Sequence, residues 1–178
     1  MLHRSITTAG IAALLMGSTL VGGCATTGPR IAGTPNQATT QAFEKLKALA
    51  GTWESVDDKG QKQVAAVFSV TGGGSAVREI MFPGSPHEMT NMYHLDGSSI
   101  VATHYCAMGN QPRMRCAASD GKTFDFRFDD ITNLPSKDVD PMASLVLTVH
   151  DANRITQDWD TLKADGSHNA VFELTRKN

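Results

Sequence analysis

The sequence predicts an all-β antiparallel fold of about ten strands, entered through one short helix. Turn-forming groups recur along it at near-regular spacing: Lys59-Gly60, Gly72-Gly73-Gly74, Pro83-Gly84, Asp96-Gly97, Gly109-Asn110, Asp120-Gly121 and Asp165-Gly166. Short strands joined by tight turns at such intervals build a sandwich or a barrel. A second observation is alternation with period two. Phe124, Phe126 and Phe128 alternate with Asp125, Arg127 and Asp129, which sets phenylalanine on one face of a strand and charge on the other. Size is the third. With 178 residues, 40% of them apolar and 19% charged, the chain holds one domain with a core of its own.

In order along the chain, residues 1–23 have the composition of an export signal. His3 and Arg4 lead an apolar, small-residue run over 9–23 that contains no acidic residue. Gly10, Gly17 and Gly22 interrupt the run, and it is shorter than the roughly twenty residues a spanning helix needs. Leu20-Val21-Gly22-Gly23-Cys24 resembles the bacterial lipobox. That resemblance implies cleavage before Cys24, diacylglycerol on the Cys24 sulfur and N-acylation, and several acyl chains anchor stably where one does not. Ala25 rather than aspartate follows the cysteine, which for lipoproteins of this kind implies the outer membrane. The expected location is therefore the cell envelope, lipid-anchored and facing the periplasm. Residues 24–39 would be the lipidated cysteine and a flexible tether, because the stretch 25–36 is rich in Thr, Gly and Pro without apolar periodicity.

Loss of residues 1–23 removes a single charged side chain, Arg4, and makes the chain one unit more negative than its full-length net charge of −2. No basic run occurs anywhere. Nucleic acid and anionic membrane surfaces, which demand clustered Lys and Arg, are thereby poor partners.

The folded domain is expected over residues 40–178. Phe43, Leu46, Leu49 and Ala50 recur at helical spacing with Glu44, Lys45 and Lys47 between them, so a short helix covers 40–50. Gly51-Thr52-Trp53 ends it and opens the first strand. Ten strands are expected at 51–57, 62–70, 75–82, 88–95, 98–107, 112–119, 122–130, 142–150, 153–161 and 168–176. The one long connection, 131–141, is expected to hold a helical turn.

Gly51-Thr52-Trp53 after a short helix, with Arg176 in the last strand, resembles the lipocalin or calycin pattern. The resemblance implies an up-and-down barrel over residues 40–178, in which Trp53 plugs the closed end and Arg176 packs across its ring in a cation–π contact. His104-Tyr105-Cys106 and the stretch from Gly109 to Arg113 are also similar to those of bacterial lipocalin-like proteins of the domain-of-unknown-function kind. That second resemblance implies no activity.

The stretch from Thr103 to Arg115 gathers a histidine, a tyrosine, a thiol, two amides and two arginines around one Gly/Pro turn. A two-residue hairpin at Asp120-Gly121 would pair Arg115 with Phe126 and Arg113 with Phe128, turning both arginines inward. The same rule at Asp96-Gly97 pairs Tyr93 with Ile100, Asn91 with Ala102 and Met89 with His104. The face holding Leu95, Tyr93 and Ile100 is the more apolar, so His104 and Cys106 point inward as well. Gln157 shares a face with Trp159. The expected interior thus holds Asn91, Tyr93, His104, Arg113, Arg115 and Gln157 beside Phe124, Phe126 and Phe128.

Buried polar groups cost about 1–3 kcal/mol each when unpaired, so such a cluster implies water, a ligand or mutual pairing. Two arrangements stay open. In one, the barrel holds a small amphipathic or anionic molecule, with Arg113 and Arg115 meeting negative charge, His104, Tyr93 and Asn91 supplying hydrogen bonds, and Phe126 among the apolar wall. In the other, His104 only bonds Tyr93, the arginines flank the rim, and the protein is an envelope structural or assembly lipoprotein whose outer surface binds a protein.

Catalysis and metal binding find less support. His94 alternates away from His104 and Cys106, which breaks up a metal set. His104 and Cys106 stand about 6–7 Å apart along a strand, with no carboxylate to orient them as a nucleophilic pair, and neither G-x-S-x-G nor H-E-x-x-H occurs. Some calycin-like barrels bind haem through one histidine, which makes haem on His104 a lesser alternative, although no Cys-x-x-Cys-His motif is present. No other cofactor is indicated. With Cys24 acylated, an oxidising compartment favours pairing of Cys106 with Cys116. Alternation, however, turns Cys106 inward and Cys116 outward, and free thiols are expected.

Overall fold

The structure, a computed structural model, describes residues 32–163 and 170–178. The export signal, the lipobox with Cys24 and most of the tether lie outside the described residues. A helix, α1 (Gln37–Lys47), leads into ten antiparallel strands: β1 (Gly51–Val56), β2 (Lys62–Thr71), β3 (Ala76–Met81), β4 (Met89–Asp96), β5 (Ser99–Tyr105), β6 (Gln111–Cys116), β7 (Thr123–Thr132), β8 (Met142–Asp151), β9 (Arg154–Thr161) and β10 (Ala170–Arg176). Each strand pairs with its neighbours in sequence, and β1 pairs with β10, closing an up-and-down barrel. All ten expected strands are present. The long connection starts as β7, which runs on to Thr132, and then holds one hydrogen-bonded turn, the Val139 amide donating to the Ser136 carbonyl at 3.4 Å, without a helix.

α1 begins earlier than the apolar periodicity suggested, because Asn36 caps it. The Asn36 side chain accepts a hydrogen bond from the Thr39 amide at 2.8 Å, satisfying one of the amides a helix start leaves open. Residues 37–39, expected in the tether, are therefore helical. Ala42, Phe43 and Leu46 bury the inner face of the helix, and Leu49 follows them into the core. The Thr39 hydroxyl donates to the Ser98 carbonyl in the β4–β5 turn at 3.0 Å. α1 thus stoppers the end of the barrel that carries this turn, the helix end. The β1–β2, β3–β4, β5–β6 and β7–β8 connections lie at the opposite, far end.

Trp53 and Arg176 close the helix end. The guanidinium lies 4.4 Å from the centre of the buried Trp53 ring. Its nitrogens donate to the carbonyls of Ala152 (2.8 Å), Ala50 (2.8 Å) and Ala48 (3.1 Å), while the Trp53 indole donates to the Leu49 carbonyl at 2.9 Å. One planar cation therefore ties the helix exit, the β8–β9 turn and β10 together, which the fork of donors on arginine permits and a lysine ammonium does not. The tight approach explains Gly51, where a Cβ would stand 2.5 Å from Arg176 Nη1.

Two hairpins differ from the expected register, with different consequences. In β4–β5 the loop is Gly97-Ser98, so Asn91 faces His104, Tyr93 faces Ala102 and Leu95 faces Ile100. Every partner moves by two residues and every face is kept, because faces repeat with period two. In β6–β7 a longer loop, held by Ser119 and Asp120 side chains bonded to the Thr123, Gly121 and Lys122 backbone, brings Met114 opposite Phe128 and Arg115 opposite Arg127. A one-residue change flips the strand. Met114 and Cys116 point inward and are buried, whereas Arg113 and Arg115 face outward. Phe124 and Phe126 are buried as expected, but Phe128 is 39% exposed and lies outside the core.

The cysteines are free, and Cys116 is buried rather than outward. Separation along the strand, not face, keeps them apart. Cys116 lies opposite Ile100 near the helix end, and Cys106 is six residues beyond Ile100, a span of about 20 Å at strand rise, whereas a disulfide needs Cα atoms within about 7 Å.

Candidate functional site

The interior is organised by Glu79, a residue the sequence reading did not single out. β3 carries Val77, Glu79 and Met81 on its inner face, and Glu79 is 0% exposed. Strand register sets Glu79 opposite Asn91 and Asn91 opposite His104, so three polar side chains form one row across β3, β4 and β5. Tyr93 stands two residues from Asn91 on the same face. Gln157 and Trp159 look inward from β9, on the far side of the lumen.

These groups satisfy one another in a connected chain. Glu79 Oε2 accepts from the Tyr93 hydroxyl (2.6 Å) and from Asn91 Nδ2 (2.7 Å). Glu79 Oε1 accepts from Gln157 Nε2 at 2.6 Å, across the lumen, and Gln157 Oε1 accepts from the Trp159 indole at 3.2 Å. The remaining oxygen of Asn91 lies 2.7 Å from His104 Nδ1. Since the Asn91 nitrogen is turned to Glu79, its oxygen faces His104, and Nδ1 carries the proton. Nε2 of the neutral ring is then an acceptor.

Burial controls the titration of this cluster. It raises the Glu79 pKa, against the pull of the hydrogen bonds from Gln157, Tyr93 and Asn91. The Tyr93 hydroxyl is pushed well above its ordinary value, by burial first and then by the Glu79 charge. His104, with burial as the cause, is lowered to about 4, so the ring is neutral at pH 7.

A second set of polar atoms is buried with no partner: His104 Nε2, both side-chain heteroatoms of Asn110, and Thr161 Oγ1. All lie toward the far end. Asn110 precedes β6 in the inward phase of Pro112 and Met114, and its carbonyl holds the Cys106 amide at 3.1 Å. Thr161 ends β9 in the inward phase of Gln157 and Trp159. The His104 and Trp159 rings lie 5.0 Å apart, joining the two sides of this layer. Asn110 had read as a turn residue only. Its inward phase was legible from Pro112 and Met114 once β6 is read from its own alternation.

Of the residues expected to line the site, Asn91, Tyr93, His104, Gln157 and Phe126 meet in the interior, with the Phe126 ring 5.6 Å from Tyr93. Arg113 and Arg115 do not. On the outer wall Arg113 pairs with Asp129 (3.1 Å) and Asp130 (3.4 Å), and Arg115 with Asp96 (2.8 Å) and Asp129 (3.3 Å). His94 is exposed on the outside as well. Among the described residues, the buried side chains include no arginine or lysine.

Fold and site together define a barrel of the up-and-down antiparallel class, with ion pairs on the outer wall of β6 and β7 and a buried carboxyl network across its interior. Comparison with known proteins adds no narrower assignment: no protein-family model and no curated protein sequence matches the chain.

Proposed function

We propose that the protein is a lipid-anchored, periplasm-facing binding barrel that holds a small, uncharged amphipathic molecule in the far-end half of its lumen, without catalysis. The observation that carries this reading is the layer of buried, unpartnered polar atoms on His104, Asn110 and Thr161. Left empty, each such group costs about 1–3 kcal/mol. A ligand that donates to His104 Nε2 and exchanges hydrogen bonds with the Asn110 amide and the Thr161 hydroxyl removes that cost. The ligand is uncharged in this reading because Glu79 is already engaged by three donors and both candidate arginines are spent on the outer wall.

The lipobox-like Leu20–Cys24 and the stretch that follows support the anchor, and the ion-paired exterior of β6 and β7 suits water rather than a bilayer, where a barrel turns an apolar band outward. Haem on His104 loses support. The residue is 2% exposed, so a porphyrin reaches Nε2 only by displacing wall side chains.

One observation favours a second reading, a structural or assembly lipoprotein with a protein partner: the Glu79–Gln157 bond spans the lumen and occupies its middle. Native mass spectrometry of residues 25–178 from a periplasmic expression host separates the two. An added mass that vanishes on denaturation, and is lost in an Asn110→Leu/Thr161→Val variant, is expected. Bare protein in both samples would transfer the assignment to the structural reading.

A further inference from the structure

The barrel is closed at one joint by far less than at the others. β1 and β10 share only two residue pairs, Trp53 with Arg176 and Glu54 with Thr175, whereas every other neighbouring pair of strands shares at least four. Continued in register, Ser55 would face Leu174 and Val56 would face Glu173, and neither pair forms. The register of β1 against β2 shifts beside the joint: Trp53 pairs with Ala66 and Glu54 with Val64, which leaves Ala65 of β2 as the extra residue of a bulge and raises the local twist where β1 parts from β10. From there to the far end, β10 keeps its bonds to β9 while its other edge, Ala170–Leu174, pairs with no strand among the described residues. Ser55 and Val56 present the opposing edge of β1.

The seam between these edges opens into a cavity of about 560 Å³. Val56 and Val171 stand at its mouth, 62% and 55% exposed, and the Phe82 and Phe172 rings, 5.5 Å apart and edge to face, lie within it. Among the described residues its charged lining is of one sign: Glu54, Asp57, Asp58 and Glu173. Lys177 reaches Glu54 from outside at 3.4 Å.

We propose that this seam binds an extended, basic peptide segment as an added strand between β1 and β10. Two facing strand edges supply main-chain donors and acceptors that only another backbone meets in register. Because side chains of a strand alternate, one set of an inserted peptide would pack inward on Phe172 and the Phe82 ring against it, while the other, on the outer face beside Val56 and Val171, carried positive charge to Glu54 and Glu173. A cationic small amphiphile would match the lining but not the edges.

The test uses residues 25–178 and a fluorescein-labelled peptide of alternating Lys and Val, seven residues long, followed by fluorescence anisotropy at low ionic strength. A second peptide of the same sequence is N-methylated at alternate residues, which removes main-chain donors and keeps side chains and charge. Saturable binding is expected, weakened about tenfold by N-methylation and about fivefold by Glu173→Lys, an exposed substitution that leaves the fold intact. Amide exchange over Ala170–Leu174 should slow on peptide addition. No binding, equal binding of the methylated peptide, or unchanged exchange on β10 would each overturn the proposal, the second of these in favour of a charged amphiphile site. None of these outcomes depends on the interior ligand.

Discussion

Replacing His104 with phenylalanine should remove about 2 kcal/mol of acid sensitivity from the fold. Burial holds the His104 pKa at about 4, against 6.5 for the free side chain. As pH falls below 6.5 the unfolded chain takes up a proton that the folded ring refuses. The stabilisation from the neutral buried ring is therefore complete above 6.5 and is lost progressively down to 4. At about pH 5 the difference in protonation between the two states amounts to about 2 kcal/mol. Glu79 acts with the opposite sign, because its folded pKa is raised: its contribution is present at low pH and lost as pH rises from 4.5 through the folded value. His104 is not among the causes of that shift, so the Glu79 term is common to both proteins and cancels between them. Urea unfolding of wild type and His104→Phe at about pH 8 and about pH 5 gives four stabilities. The phenylalanine variant starts lower, having left the Asn91 oxygen unpaired, yet the gap should narrow by about 2 kcal/mol on acidification. A gap that stays constant within about 0.5 kcal/mol would refute the assignment of a neutral, buried His104.

Three other outcomes are expected. Arg176→Ala should cost about 3 kcal/mol in thermal or urea unfolding, because three carbonyl bonds and the Trp53 contact go together, and Arg176→Lys should recover less than half of that; full recovery by lysine would show that charge alone matters. Glu79→Gln should cost about 1–3 kcal/mol, since its amide nitrogen meets Gln157 Nε2 donor to donor, and Glu79→Leu, which leaves Tyr93 and Gln157 without an acceptor and Asn91 Nδ2 with only the Met81 sulfur, should cost more; equal losses in urea unfolding would argue against an acceptor role. Intact mass should be unchanged by reduction, and alkylation of the native protein should reach the half-buried Cys106 before the buried Cys116; a two-hydrogen shift on reduction would contradict the separation of the two residues along β5 and β6.

What could be seen in the sequence followed the size of each register error. Reading the β4–β5 loop one residue early displaced every partner by two, and His104, Asn91 and Tyr93 still came out on the right face. At β6–β7 the loop differs by an odd step, and both arginines changed sides. A better signal was present in β6 itself, where Pro112, Met114 and Cys116 alternate with Arg113 and Arg115; the polarity of a strand constrains its facing more tightly than arithmetic through a loop whose length is unknown. Glu79 was hidden for a different reason. β3 offers two equally apolar faces, Val77 with Met81 and Ala76 with Ile80, each interrupted by one charge, so alternation alone does not say whether Arg78 or Glu79 is enclosed. Only the cross-lumen reach to Gln157, 78 residues away, decides it.

The row from Glu79 through Asn91 to His104 has a direction, in the sense that each link fixes the donor or acceptor role of the next. With the carboxyl ionised, the amide shows it nitrogen, the imidazole carries its hydrogen on Nδ1, and Nε2 offers a lone pair to the lumen. A proton placed on Glu79 and given to the Asn91 oxygen would turn the amide over, move the imidazole hydrogen to Nε2, and present the same ring to the same space as a donor. On the proposed reading, a molecule held at the far end would then be matched to one ionisation state of a carboxyl two strands away and mismatched to the other.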